Sequence, residues 1–166
     1  MIHHRELKRT TNTGQLATKA LANSHTCVRG EGREVLDLSP QLTSDYRSVL
    51  FYPADDAILL TPEWVAMDSR PIQLIVPDGN WRQASKVHYR HKELKDLPRV
   101  MLKSQASEET LYMRKESKPE GMATLEAIAH AFAVLEGPEV GAQLLRLYQL
   151  KLERTLKGRG QLKEKI

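Results

Sequence analysis

The sequence has a single cysteine, Cys27, and therefore no CxxC pair. One cysteine supports neither a disulfide framework nor a cysteine-based zinc site. No apolar run approaches the length of a membrane-spanning helix, and residues 1–9 are polar and basic, without the apolar stretch of a secretory signal. Together these absences favour a cytoplasmic protein that has no membrane partner.

The sequence signatures of several common enzyme classes are also missing. No GxGxxG motif follows a predicted strand, so the chain does not have the sequence of a dinucleotide-binding fold. It has no Walker loop, no nucleophile elbow and no HExxH motif either.

Composition and charge give the next constraint. The chain has 166 residues, of which 40% are hydrophobic and 28% are charged, an ordinary mixture for a globular protein. We expect a single domain over residues 1–166, with a basic tail from about residue 157 that frays. The formal net charge of +4 favours a polyanionic partner such as nucleic acid, although many small basic proteins bind none.

Apolar runs and helical periodicity alternate along the chain. Compact apolar runs predict buried strands over 48–52, 72–76 and 99–102, with a further short strand over 35–38. Apolar residues at helical spacing predict helices over 15–22, 62–67, 81–94, 122–135 and 139–157. This order is typical of an α/β protein with a mostly parallel sheet flanked by helices.

The stretch 74–84 runs from a buried strand into a helix start. Open α/β sheets usually bind ligands at such a strand tip. Asp78 lies at the tip, and Trp81 follows one turn later. Taken alone, Asp78 is either a helix cap or a functional carboxylate, and Trp81 is either core or part of a ligand site.

The helix predicted over 81–94 carries Arg82, Lys86 and Arg90 at positions i, i+4 and i+8, which places them in one stripe. This stripe is either a solvated helix face or a track for RNA phosphates, because it starts beside the candidate ligand turn.

Four clusters in order resemble the DTW-domain family: TNTGQL at 11–16, FYPADDA at 51–57, DGNWRQA at 78–84 and ATLEA at 123–127. The resemblance extends from about residue 3 to residue 150. Members of that family are similar to tRNA-uridine aminocarboxypropyltransferases. The resemblance therefore implies a SPOUT-like fold with a C-terminal trefoil knot. It also implies transfer of a 3-amino-3-carboxypropyl group from S-adenosylmethionine to N3 of a tRNA uridine.

Two features depart from the family pattern. The name-giving motif is usually Asp-x-Thr-Trp, and here Asn80 stands in the third place. Asn and Thr can both cap a helix, so we expect function to survive. Many bacterial members also carry an N-terminal cysteine cluster, which is absent here. Either this is a short subfamily, or the start has been placed too far downstream.

The resemblance also implies roles for individual residues. Asp78 is the candidate base, or the group that orients the uridine N3–H. Glu126 binds the amino group of the donor or simply favours the helix start. The residues expected to contact the donor are Thr13, Trp81, Ala84, Leu102, Tyr112, Thr124 and Glu126. The candidates for tRNA phosphate contacts are Arg82, Lys86, Arg90, Arg114 and Lys115.

Two other functions remain open at this point. The first is a SPOUT-type RNA methyltransferase with the same cofactor, and the second is a non-catalytic RNA-binding module. No metal is expected, because His88 and His91 have the spacing of a ligand pair but no third ligand is spaced to help. The oligomeric state is left open, with the monomer slightly favoured.

Overall fold

The computed structural model describes residues 1–10, 12–32, 36–79, 81–103, 122–158 and 160, with the side chains of Trp81 and Arg82 outside this description. Its strands are β1 Ile2–His3, β2 Val28–Arg29, β3 Arg47–Phe51, β4 Ile58–Leu59, β5 Ile72–Ile75 and β6 Arg99–Met101. Its α-helices are α1 Gly14–Ala20, α2 Pro62–Ala66, α3 Trp81–Ala84, α4 Val87–Arg90, α5 Thr124–Leu135 and α6 Pro138–Gly158. Short 3₁₀ helices cover His4–Glu6, Ser39–Gln41 and Lys92–Leu94.

The strands form a parallel arrangement, as the alternation of elements predicts. In the larger sheet the order is β4-β6-β3-β5, and every recorded pair is parallel. β1 pairs in parallel with β2, and an isolated parallel bridge between Ile2 and Asp78 joins β1 to the chain just after β5. The prediction of an α/β protein with a mostly parallel sheet flanked by helices is confirmed.

The central strand β3 is buried on both faces. Val49, Leu50 and Phe51 are 0%, 1% and 5% exposed, so the strand is a continuous apolar run rather than an alternating one. Val49 and Phe51 pack in a core cluster with Ala127 of α5. Leu50 faces the other side and packs in a second cluster that includes Val87 and Leu94. Helices therefore cover both faces of the sheet.

The helix pair α5 and α6 follows the predicted boundaries closely. Gly137 has a φ of +104° between the two helices, a conformation that favours glycine, and Pro138 begins α6. A Cβ on Gly141 would lie 2.6 Å from Cβ of Ala133, so glycine lets the helices approach closely. The sequence also predicts that Leu152 faces inward, and this is wrong, because Leu152 is 43% exposed. α6 has 21 residues and α5 only 12, so the C-terminal part of α6, which contains Leu152, extends beyond the end of α5.

The prediction of a single helix over 81–94 is wrong. α3 ends at Ala84, α4 runs only from Val87 to Arg90, and His91 is extended at φ −113° and ψ 103°. The break brings Val87 and Leu94, both 0% exposed, into one core cluster. Tertiary packing has overridden a local helical pattern here.

Two further differences between the sequence predictions and the structure concern strands. Residues 36–38 of the predicted strand 35–38 form no strand, and Leu38 instead fills the core cluster beneath Leu50. β4 was not predicted, because a strand of only two residues leaves no recognisable pattern in the sequence. Both of its residues, Ile58 and Leu59, are exposed. The trefoil knot that the resemblance implies depends on the path of residues 104–121, which lie outside the described residues. It stays a prediction.

Candidate active site

Asp78 lies at the carboxyl end of β5, and its backbone is held by β1. Its N–H donates to the carbonyl oxygen of Met1 at 2.8 Å, and its own carbonyl oxygen accepts from His3 N–H at 3.2 Å. The residue is only 7% exposed. The backbone of the strand tip is therefore fixed on the side of the neighbouring strand, which leaves the side chain to face the helices.

The carboxylate of Asp78 connects two segments that are far apart in the sequence. Asn12 Nδ2 donates to Oδ2 at 2.6 Å, and Thr124 Oγ1 donates to Oδ1 at 2.6 Å. Hydrogen bonds to an ionised group are shorter and stronger than neutral ones, and these distances fit that class. A Cβ on Gly14 would lie 2.5 Å from Oδ2, so only glycine lets α1 approach the carboxylate this closely.

The starts of α1 and α5 interlock around this carboxylate. Asn12 Oδ1 accepts from Gln15 N–H at 3.1 Å and so caps α1 while its amide group holds Asp78. Thr13 Oγ1 accepts from Leu125 N–H at 3.1 Å, which caps α5 from a different segment of the chain. These bonds satisfy N–H groups that a helix start leaves without intrahelical partners. Three of the four clusters quoted above thus meet at one point.

Glu126 completes the start of α5. Its Oε2 accepts from Ala123 N–H at 3.2 Å, the geometry of a residue that caps its own helix. This bond supports the interpretation that Glu126 favours the helix start. Binding of the donor's amino group by Glu126 stays a prediction.

A buried cation holds the turn that follows Asp78. Arg29, 4% exposed at the end of β2, donates from Nη2 to the carbonyl oxygen of Gln83 at 3.1 Å. Burial lowers the pKa of Arg29, Arg90 lowers it further, and Asp78 opposes this shift. Gly79 has a φ of +150°, which essentially only glycine adopts, and a Cβ there would lie 2.7 Å from Gln83 Oε1.

The structure brings together four of the residues predicted for the site, namely Thr13, Asp78, Thr124 and Glu126. Ala84 is also buried at 8% exposure, on α3. Leu102 is 5% exposed and packs in the core cluster with Phe51 and Ala127, directly after β6. The remaining predicted contacts, namely the side chains of Trp81 and Arg82 together with Tyr112, Arg114 and Lys115, lie outside the described residues.

The predicted stripe of cations does not lie on one helix. Lys86 is in the turn between α3 and α4, and Arg90 is the last residue of α4. Both are exposed, as a phosphate contact requires. The geometry of a continuous i, i+4, i+8 stripe is therefore wrong, whereas contact of these residues with RNA stays a prediction.

Sequence reasoning missed the roles of Asn12 and Arg29. An amide two residues before a helix start was the available signal for Asn12, but it indicated a cap and gave no sign of contact with Asp78. Arg29 gave no signal, since it is buried by tertiary contacts that include the pairing of β1 with β2 and the bond to Gln83. His88 and His91 lie in different surroundings. His88 Nε2 lies 3.4 Å from Arg99 Nη1, whereas His91 is buried at 6% exposure.

The described part of the chain offers neither a cluster of metal ligands nor a membrane-spanning helix. Among these residues, no group of three or more His, Cys, Asp or Glu side chains is arranged to hold a metal ion. Likewise, none of the helices described here is long and apolar enough to cross a membrane.

Comparison with known proteins gives one match. No curated protein and no solved structure matches the chain. The family model of the DTW domain matches residues 1–156. That span contains the interlocked carboxylate and both helix starts described above, and because it covers nearly all of the 166 residues, the chain belongs to the DTW-domain family.

Proposed function

We propose that this protein transfers the 3-amino-3-carboxypropyl group of S-adenosylmethionine to N3 of a uridine in tRNA. Membership of the DTW-domain family is consistent with a role in tRNA modification. The observation that carries the proposal is the Asp78 carboxylate, held at 2.6 Å by both Asn12 and Thr124 at a strand tip. Two donated hydrogen bonds fix the orientation of the carboxylate, and this supports a role in positioning the N3–H group from which a proton is lost.

The reaction forms one bond and breaks one. The uridine N3 bonds to the Cγ atom of the methionine moiety, the bond between that carbon and sulfur breaks, and methylthioadenosine leaves with the electron pair. The proton of N3 passes to a base. Most of the catalytic work is then positioning, because the sulfonium already makes the carbon electrophilic. Holding both reactants in line contributes roughly 7–11 kcal/mol in favourable cases.

The hydrogen bonds of Asp78 define what it contributes. Each carboxylate oxygen offers two acceptor directions, and Asn12 and Thr124 each use one. No further side-chain donor to Asp78 is recorded within the described residues, and we propose that a uridine N3–H uses one of the other acceptor directions. Since Asn12 and Thr124 fix the plane of the carboxylate, Asp78 orients the N3–H group as well as accepting its proton.

The charges near the start of α5 suit the donor. S-adenosylmethionine carries a sulfonium and an ammonium group, both positive, and the carboxylates of Asp78 and Glu126 belong to the same interlocked network. In this proposal Oε1 of Glu126 accepts from the ammonium group. The family resemblance assigns contact with the methionine chain to Trp81 and Ala84, which follow the turn on α3.

The test is a product assay with unmodified tRNA and two samples of donor. One sample carries the label in the carboxypropyl carbons, and the other carries it in the methyl group. We expect only the first label in the tRNA, a uridine heavier by one aminocarboxypropyl group in nucleoside mass spectrometry, and release of methylthioadenosine.

Each other outcome identifies a different function. Methyl label in tRNA with release of S-adenosylhomocysteine would establish a methyltransferase and overturn the proposal. Folded protein that shows no heat of binding with S-adenosylmethionine in calorimetry, but still binds tRNA, would be a non-catalytic RNA-binding module.

A further inference from the structure

A basic cleft of about 290 Å³ opens beside Asn12. Four cations line it, namely Lys8, Arg9, Lys19 and Lys151, and no acidic residue is among the described residues of its lining. None of these four cations belongs to the stripe discussed above. We refer to this feature as the basic cleft.

Three separate parts of the chain build the basic cleft. Lys8 and Arg9 follow the first 3₁₀ helix, Lys19 is on α1, and Lys151 is on the second half of α6. Gln15 Nε2 donates to the carbonyl oxygen of Leu7 at 2.7 Å and fastens the first part to α1. An apolar cluster packs both α1 and α6 against α5 and includes Ala17, Ile128 and Leu144. Packing, rather than any attraction among the cations, therefore gathers them.

Only one cation of the basic cleft has a recorded ion-pair partner among the described residues. Arg9 pairs with Glu6 at 3.2 Å. For Lys8, Lys19 and Lys151 no ion pair is recorded within the described residues. Like charges repel, and a cleft lined by one sign of charge concentrates ligands of the opposite sign.

The basic cleft lies next to the candidate active site. Asn12 is part of its lining, and the same side chain donates from Nδ2 to Asp78 Oδ2 at 2.6 Å. One amide group thus stands between the cations and the carboxylate. A ligand that reaches Asp78 with one part has another part within reach of the cleft.

We propose that the basic cleft binds the phosphodiester backbone of the tRNA beside the uridine that is modified. This inference rests on the proposed function. Lysine and arginine bind phosphates without regard to base sequence, and an amide such as that of Gln15 adds a hydrogen bond. The described lining has no aromatic side chain on which a base could stack, so the cleft suits backbone and not bases.

The test measures tRNA affinity by fluorescence anisotropy at several salt concentrations, without donor. The variants are Lys19→Glu and Lys151→Glu, and the matched control is Lys95→Glu. Lys95 is exposed and precedes β6. It therefore lies towards the amino ends of the parallel strands, whereas Asp78 lies at the carboxyl end of β5.

We expect each cleft variant to weaken tRNA binding roughly tenfold at low salt and to reduce the slope of log affinity against log salt by about one. Lys95→Glu should change both quantities much less. Lys19→Arg and Lys151→Arg should retain affinity, because they keep the charge. If a glutamate variant fails to fold, as judged by circular dichroism, the glutamine variant at the same position takes its place.

Cleft variants that bind tRNA no more weakly than Lys95→Glu would overturn this inference. The product assay on the wild-type protein judges the proposed function separately. Group transfer by a protein whose cleft variants bind normally would refute the cleft alone. Cleft-dependent tRNA binding by a protein that forms no product would refute the transfer chemistry alone.

Discussion

Replacement of Asp78 by asparagine separates the chemical role of the carboxylate from its structural role. Asparagine has almost the same shape, and its oxygen can still accept from Asn12 Nδ2. Its new amide group then faces Thr124 Oγ1, which accepts instead of donating once its hydroxyl has turned. Both connections survive, but the acceptor for a proton is lost.

The magnitudes of the two effects differ enough to be distinguished. A hydrogen bond to a charged group contributes about 1.5–3 kcal/mol and a neutral one about 0.5–1.5 kcal/mol. Two such bonds weaken in Asp78→Asn, so we expect unfolding to become easier by roughly 1–3 kcal/mol. A domain with a stability of about 5–15 kcal/mol stays folded after that loss. Loss of the positioned base should slow transfer by roughly a hundredfold to ten-thousandfold.

The assay combines urea unfolding, calorimetry with S-adenosylmethionine, and single-turnover transfer to tRNA. We expect Asp78→Asn to be folded and to bind the donor nearly normally, with transfer almost abolished. Asp45→Asn is the matched control, because Asp45 is exposed and precedes β3 at the other end of the sheet. Near-normal transfer by Asp78→Asn would show that the carboxylate only joins the two helix starts, and the base assignment would be wrong.

Three further predictions follow from the same network and its surroundings. Gly14→Ala would place a Cβ 2.5 Å from Asp78 Oδ2, so it should cost roughly 1–3 kcal/mol of stability in urea unfolding and slow transfer. His91 is buried, and burial lowers its pKa from 6.5, so the unfolded chain binds more protons below that pH and stability should fall as the pH drops. His91→Gln should flatten this fall, as followed by urea unfolding from pH 7 down to pH 5. Arg82→Glu combined with Lys86→Glu should weaken tRNA binding and flatten its salt dependence.

Each of these has a control in the chain. Gly158→Ala serves for the glycine, since a Cβ there meets nothing within 4 Å, and equal stability losses would refute the steric argument. His25→Gln serves for the histidine, since His25 is exposed, and a pH dependence unchanged by His91→Gln would exclude His91 as its source. Unchanged tRNA affinity in the variant with both Arg82→Glu and Lys86→Glu would show that these cations do not bind tRNA.

Local pattern was enough for the elements that form the core. The run Val49 to Phe51 predicts a buried strand because all three side chains are apolar, and the structure covers both faces of β3. The apolar periodicity of α5 and the break at Gly137 likewise predict the pair of helices from local sequence alone. Such signals are reliable because they depend on residues within a few positions of one another.

Local pattern failed where distant residues decided the backbone. The pattern over 81–94 is helical, yet the chain breaks so that Val87 and Leu94 can share a pocket with Leu38 and Leu50. Helix propensity is a weak local preference, and tertiary packing commonly overrides it.

The sequence by itself determined the sheet class, three of the six described strands, most of the helices, the family, and the position of Asp78 at a strand tip. Only the tertiary structure decided what Asp78 contacts, because Asn12 and Thr124 are 66 and 46 residues away from it in the chain. It also decided where the basic cleft lies, since its cations come from three segments gathered by apolar packing. The periodicity of apolar residues indicates which face of a helix or strand is buried. Which element packs against that face depends on the packing of the whole chain.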